Sequence, residues 1–191
     1  KYKNYLFIIL SISILTFCIS YFTSFSAWGF VGITLGLIII AASIFSIYNN
    51  YMKYNLKNFI ANNNALFAHL GVGIMILGIT SSSVFKLEIN DSFLINDVKT
   101  YGNYTFELEE IDVLEKENFQ ELRAIFKLYN NDKLIAEINP AKRYYHVSKM
   151  ITTEAGIYRH WTKDFYIVLG SKTDNSWGIK IYQNPLVNFI W

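Results

Sequence analysis

Two charge-free runs, residues 4–52 and 58–85, dominate the first half of the chain, and apolar side chains fill both without alternation. A bilayer crossing takes about 20 consecutive apolar residues, and a core helix of a soluble protein seldom runs that far without a charge. The first run has room for two such helices, predicted at about 5–22 and 28–48 with a short turn at 23–27. The second predicts a third helix over 65–85, in which Gly71, Gly73 and Gly78 offer small-residue packing points. A cleaved signal peptide does not fit the start, because the apolar run continues into a second span.

From Lys86 onward the apolar period becomes two. Leu122, Ala124, Phe126 and Leu128 share one face and Arg123 and Lys127 lie on the other, which is the pattern of a half-buried strand. Asn130-Asn131-Asp132 supplies turn chemistry, and Leu134, Ala136 and Ile138 continue the alternation, so 122–138 reads as a hairpin. Further strands are predicted at 104–113, 164–169 and 177–182, enough for one antiparallel sandwich or partial barrel. Residues 185–191 turn apolar again and read as the start of a further membrane helix. The expected fold is a polytopic α-helical membrane protein, with three transmembrane helices in 1–85 and the start of a fourth, carrying an all-β domain over 86–184. Because the chain opens on Lys1 and stops inside an apolar run, it reads as an excerpt of a longer protein.

Average composition hides this segregation: 52% of residues are hydrophobic, 17% are charged, and the net charge is +2. Every Asp and Glu lies between Glu88 and Asp174, whereas Lys1, Lys3, Lys53 and Lys57 flank the apolar runs. By the positive-inside rule the N-terminus and the 49–64 loop are cytoplasmic. Three crossings then put the β domain outside, in the periplasm of a bacterial inner membrane or on the equivalent side of the mitochondrial one. The β region carries thirteen Lys and Arg against fifteen Asp and Glu, a balance that disfavours nucleic acid. The lone Cys18 excludes a disulfide framework, and without a CxxCH motif the chain is not itself a c-type cytochrome. Nucleophile elbow, phosphate-cradling glycine loop and paired catalytic carboxylates are all missing from the sequence.

His69 is the candidate that matters most. It lies in the third apolar run, where ionisable side chains are costly and usually functional, four residues past Ala65 and so some 6 Å along the predicted span. Gly73, four residues on, shares its face and would leave the surface beside the imidazole bare, so that a flat macrocycle could approach. The other reading gives His69 a hydrogen bond to a neighbouring helix and Gly73 a role in close helix packing. His146 and His160 lie among aromatics in the aqueous part, and a spacing of fourteen matches no compact metal motif. Lys142, Arg143 and Arg159 form a basic-aromatic group that could bind carboxylates or phosphates, such as those of an acidic partner. Its alternative is a cationic strand face.

Several short segments, in order, resemble the CcmF family of cytochrome c maturation heme lyases, whose relatives include NrfE. Ala68-His69-Leu70-Gly71-Val72 and Gly78-Ile79-Thr80-Ser81-Ser82 are similar to the family's AHLGV and G-x-T-x-S. Pro140-Ala141-Lys142-Arg143-Tyr144-Tyr145 resembles its PEKRxY, Thr153-Glu154-Ala155-Gly156-Ile157 its TEAAI, and residues 163–170 its RDLYVALG. Residues 177–191 resemble its W-x-VRxYYKP-x-V-x-x-IW. Ala141, Lys163 and Phe165 depart from the family's Glu, Arg and Leu.

The resemblance covers about 65–191 and implies a subunit that binds heme b in the membrane and helps attach heme to the CxxCH of apocytochrome c. His69 matches the second transmembrane histidine, an axial heme b ligand. The other axial ligand, the tryptophan-rich segment and the periplasmic heme ligands belong upstream. Implied partners are apocytochrome c, a periplasmic heme chaperone, other maturation subunits, membrane lipid and quinol, and the chain by itself is expected to be inactive. The rival readings are a non-enzymatic transport or assembly scaffold with a partner-docking β domain, and a quinol-oxidising cytochrome b subunit.

Overall fold

A computed structural model describes residues 2–23, 27–51 and 56–190. It divides into two compact units, Lys1–Lys86 with Asn184–Trp191, and Leu87–Gln183. The predicted turn at 23–27 falls largely outside the described residues. So do Lys1 and Lys53 and the side chains of Lys3 and Lys57, on which the orientation rests.

The first unit contains α1 (Tyr2–Thr23), α2 (Ala27–Tyr51) and α3 (Leu56–Val84). Among the described residues two segments are long and apolar enough to cross a membrane, Ala27–Tyr51 and Asn63–Val84, while α1 contributes the shorter apolar stretch Ile9–Cys18. Helix α3 starts nine residues before the predicted span because its polar entry is satisfied internally. Asn63, wholly buried, donates to the Phe59 carbonyl and accepts from Asn50 Nδ2 at 2.7 Å. Leu6, Phe7, Trp28, Val31 and Val72 are exposed, a disposition that suits hydrocarbon rather than water.

Glycines set the α2–α3 crossing. A Cβ added at Gly36 would stand 2.7 Å from Leu77 and 3.2 Å from the Gly73 carbonyl, and one at Gly73 would meet Ile40 at 2.7 Å and the Gly36 carbonyl at 3.2 Å. The two backbones touch there as in a Gly-x-x-x-Gly contact, and Gly32 lies against Thr80 one turn away. Gly78 instead faces the chain's return, where an added Cβ would stand 3.2 Å from Ile190 and Phe189, whereas among the described residues none would come within 4 Å of a Cβ at Gly71. Over 185–191 the expected further helix is, among the described residues, a single 3-10 turn, Val187–Phe189.

The second unit is a sandwich of ten strands: β1 (Leu87–Phe93), β2 (Val98–Tyr101), β3 (Tyr104–Glu115), β4 (Phe119–Asn130), β5 (Lys133–Ile138), β6 (Ala141–Tyr145), β7 (Ile151–Glu154), β8 (Gly156–His160), β9 (Lys163–Thr173) and β10 (Ser176–Pro185). One sheet runs β1-β10-β9-β8. The other runs β2-β3-β4-β6-β7, with β5 paired to the far half of β4. Alternate residues of both close the core: Phe93, Phe165, Ile167, Leu169, Ile179 and Ile181 face Phe106, Leu108, Ala124, Phe126, Leu128 and Ile138. Each large side chain so buried contributes about 1.5–3 kcal/mol. Between β7 and β8 the chain changes sheets through a single residue, Ala155. There Gly156 fits because a Cβ would stand 2.6 Å from Ile138 and 2.7 Å from the Pro140 nitrogen.

Asn131 and Asp132, both at positive φ (46° and 64°), close the β4–β5 hairpin in the conformation such residues tolerate. Beyond that turn the sequence pattern fails by one residue. A bulge between Leu128 and Tyr129 leaves Leu134 exposed and packs Ile135 on the core instead. A second bulge, in β3 at Glu109, has the opposite use. Strict alternation would turn Glu110 and Asp112 inward behind Glu107. The extra residue keeps Glu107, Glu110 and Asp112 opposite the outer-face residues Lys127, Ile125 and Arg123, with Glu109 bound to Lys127 at 2.6 Å.

Candidate functional site

His69 lies thirteen residues into α3, about 20 Å from its first residue, and six residues into the apolar span Asn63–Val84, about 9 Å along it. Its ring is exposed, and Nδ1 donates to the Ala65 carbonyl one turn back at 2.5 Å. A carbonyl only accepts, so this bond places a proton on Nδ1, and in the neutral ring the lone pair is then on Nε2. A neutral imidazole that ligates a metal through Nε2 is commonly anchored in this way by its other nitrogen. His69 thus presents an exposed ring nitrogen on an apolar helix. The bond is to its own helix, not to a neighbouring one.

Gly73 corrects the sequence expectation. It is buried against α2, and Gly36, Ile39 and Ile40 fill the side where a macrocycle was to approach. Its missing side chain serves the helix crossing.

Nor do the three basic residues form one patch. Lys142 and Arg143 are neighbours on β6 and therefore point to opposite faces. Arg159 stands on β8 in the other sheet, exposed and in register with Asp164. Arg143 belongs to a structural ion network. Its Nε donates to Glu121 Oε2 at 2.6 Å, its Nη1 lies 3.5 Å from Glu154, and its guanidinium covers the Phe119 ring at 4.9 Å. The Glu121 bond raises the guanidinium above its ordinary pKa. Glu121 is 8% exposed and draws Arg123 as well, at 3.9 Å. A buried carboxylate of this kind needs its cation in place, which removes Arg143 from the residues open to a propionate or partner.

His146 pairs with Glu115 at 2.9 Å beside Tyr144, and His160 sits against Thr162 and Tyr158. Among the described residues no three His, Cys, Asp or Glu gather as a metal site.

The densest polar cluster gave no sequence signal. Asp91 accepts from Lys99 Nζ (2.8 Å), Tyr101 Oη (2.5 Å) and the Ser92 amide (2.7 Å). These bonds, that of Lys99 foremost, hold its carboxyl near a pKa of about 2, while burial and then Asp91 push the Tyr101 phenol up. Asp91 belongs to one sheet and Lys99 and Tyr101 to the other, so only the folded sandwich brings them together.

A family model described as the CcmF C-terminal beta-sandwich matches residues 84–185, more than half of the chain. The cytochrome c-type biogenesis protein CcmF of Haemophilus influenzae is 32% identical over 127 residues, 66% of this chain and 20% of that protein. NrfE of the same organism is 29% identical over 168 residues, 87% of this chain and 25% of its own length. A solved structure titled Cytochrome c Heme Lyase CcmF shares the fold with a TM-score of 0.78 at 13% identity, covering 97% of this chain and 32% of that one. The chain spans about a fifth to a quarter of the length of these curated relatives. With its β-sandwich matched from end to end, the chain belongs to the CcmF family of cytochrome c-type biogenesis proteins.

Proposed function

We propose that this chain is the C-terminal part of a cytochrome c heme lyase subunit, a multi-pass inner-membrane protein that holds heme b and takes part in attaching heme to apocytochrome c. The observation that carries the reading is His69: an exposed imidazole on an apolar helix, its Nδ1 proton committed to the Ala65 carbonyl and its Nε2 free to ligate. Family membership supports it, and so does the name heme lyase borne by the structural relative. His69 would hold the heme iron through Nε2. When bound, heme b would supply electrons to the iron of the heme being attached, while each CxxCH thiol adds its S–H across a vinyl group in a step that is itself redox-neutral. Iron ligation offsets the cost of an imidazole in hydrocarbon, and the Ala65 carbonyl keeps the ring from rotating out of position.

In this reading α1 completes three crossings, and the Leu87–Gln183 unit lies in the periplasm. There it orients apocytochrome c and meets the heme chaperone and the other maturation subunits. Fixing the acceptor against a held heme lowers the entropic part of the barrier.

Full-length protein carrying His69→Gly is expected to lose heme b and to regain it when free imidazole is supplied, read from the heme absorbance of purified protein. Full absorbance without added imidazole overturns the ligand assignment. An unsubstituted full-length protein that purifies without heme supports the scaffold reading instead.

A further inference from the structure

At one end of the sandwich the two sheets part. Leu87 and Ile89 of β1, Gln183 of β10 and Lys163 of β9 face Tyr101 and Tyr104 of the β2–β3 hairpin across a cleft of about 630 Å³. Tyr104 is held by Phe165, ring centroids 4.6 Å apart, and the Lys163 ammonium lies 5.0 Å from the centre of the Tyr104 ring. The described residues place no carboxylate within ion-pair distance of Lys163. Asp91, the acid beside Tyr101, is already satisfied by Lys99 and by the Tyr101 hydroxyl. The cleft therefore presents one positive charge among aromatic and aliphatic walls, with Thr100, Asn103 and Gln183 as its neutral polar part.

It also lies where the chain enters and leaves the domain, since Leu87 pairs with Gln183. Helix α3, apolar enough to cross a membrane, ends at Val84, three residues before Leu87. An amphiphile at a bilayer surface is the ligand within reach of such a cleft.

We propose that the cleft binds the headgroup of an anionic phospholipid, with the phosphate on Lys163 and the glycerol and first acyl carbons against Tyr104, Leu87 and Ile89. Lysine suits a phosphate as a compact point charge, and a tyrosine face beside aliphatic carbons suits the polar-to-apolar step of a lipid. The site shares no residue with that of His69, and heme content is expected to stay unchanged when it is altered.

The test uses full-length protein in nanodiscs of phosphatidylcholine with a minority of phosphatidylglycerol, and counts retained lipid by native mass spectrometry. Retention of phosphatidylglycerol is expected to fall about fivefold in Lys163→Gln, the effect of one basic residue at an anionic surface, and to persist in Lys163→Arg. Lys133→Gln, at the exposed start of β5, leaves it unchanged. Leu87→Asn, outside the core, lowers it as well and decides the matter if Lys163→Gln misfolds. Excess inorganic phosphate should not displace the lipid, and displacement would reassign the cleft to a free anion. Equal retention in Lys163→Gln and Leu87→Asn, or no preference over phosphatidylcholine, overturns the proposal.

Discussion

Asp91 ties one sheet to the other through side chains, and its chemistry sets how the domain responds to acid. Its ordinary pKa of 3.8 falls to about 2 in the fold, first through the Lys99 bond. The folded state therefore takes this proton less readily than the unfolded chain. Its contribution to stability is fully present above about pH 4 and is lost as pH falls through about 2. Asp91→Asn should flatten the acid side of the stability profile in that window, read as denaturation midpoints at about pH 5 and about pH 2.5. An unchanged acid slope would show that the bridge carries none of it. The sequence gives no hint of this bridge, because its partners meet only through the packing of β1 on β2. His69 is the opposite case. A lone imidazole in an apolar run identifies itself without a structure, since hydrocarbon makes polar groups expensive. Arg143 shows the intermediate failure, where a basic cluster along the chain is split between the two faces of a strand.

At the scale of elements, the helices were legible from the absence of charge, but their contact was not. That Gly73 points at Gly36 rather than at a ligand depends on the rotation of α2 against α3, which no one-dimensional pattern records. Gly36→Leu and Gly73→Leu should each destabilise the helix pair by roughly 1–3 kcal/mol, the usual cost of forced overpacking. The measurement is detergent-titrated loss of helical circular dichroism. Wild-type midpoints in both variants would mean that the glycines are not needed for the contact. Among strands, the long alternation of β4 was legible because one face is core and the other is solvent. The short edge strands β1, β2, β7 and β8 were not, since four to seven residues there mix exposed positions with half-buried or buried ones, and the five residues of interior β6 show no alternation. Both bulges shift parity by one residue, which is invisible until the partner strand is known.

For the whole molecule, the segregation of charge says that the chain lives in two solvents, and the switch of apolar period at Lys86 follows from it. A backbone in hydrocarbon must satisfy itself within a helix, whereas a sheet with one wet face can alternate. An alkaline phosphatase reporter placed in the full-length protein at Asn131, on the exposed β4–β5 turn, should be active in the periplasm. Activity of a cytoplasmic reporter at the same point would reverse the orientation drawn from the lysines. The adjacency of Leu87 and Gln183 has a mechanical side. Both tethers leave from the same end of one antiparallel pair, so a load drawn through them peels β1 from β10 rung by rung, starting at Leu87↔Gln183, instead of shearing all the rungs together. The domain is thus hung like a zipper by its tab, yielding first at its point of attachment when that attachment is pulled.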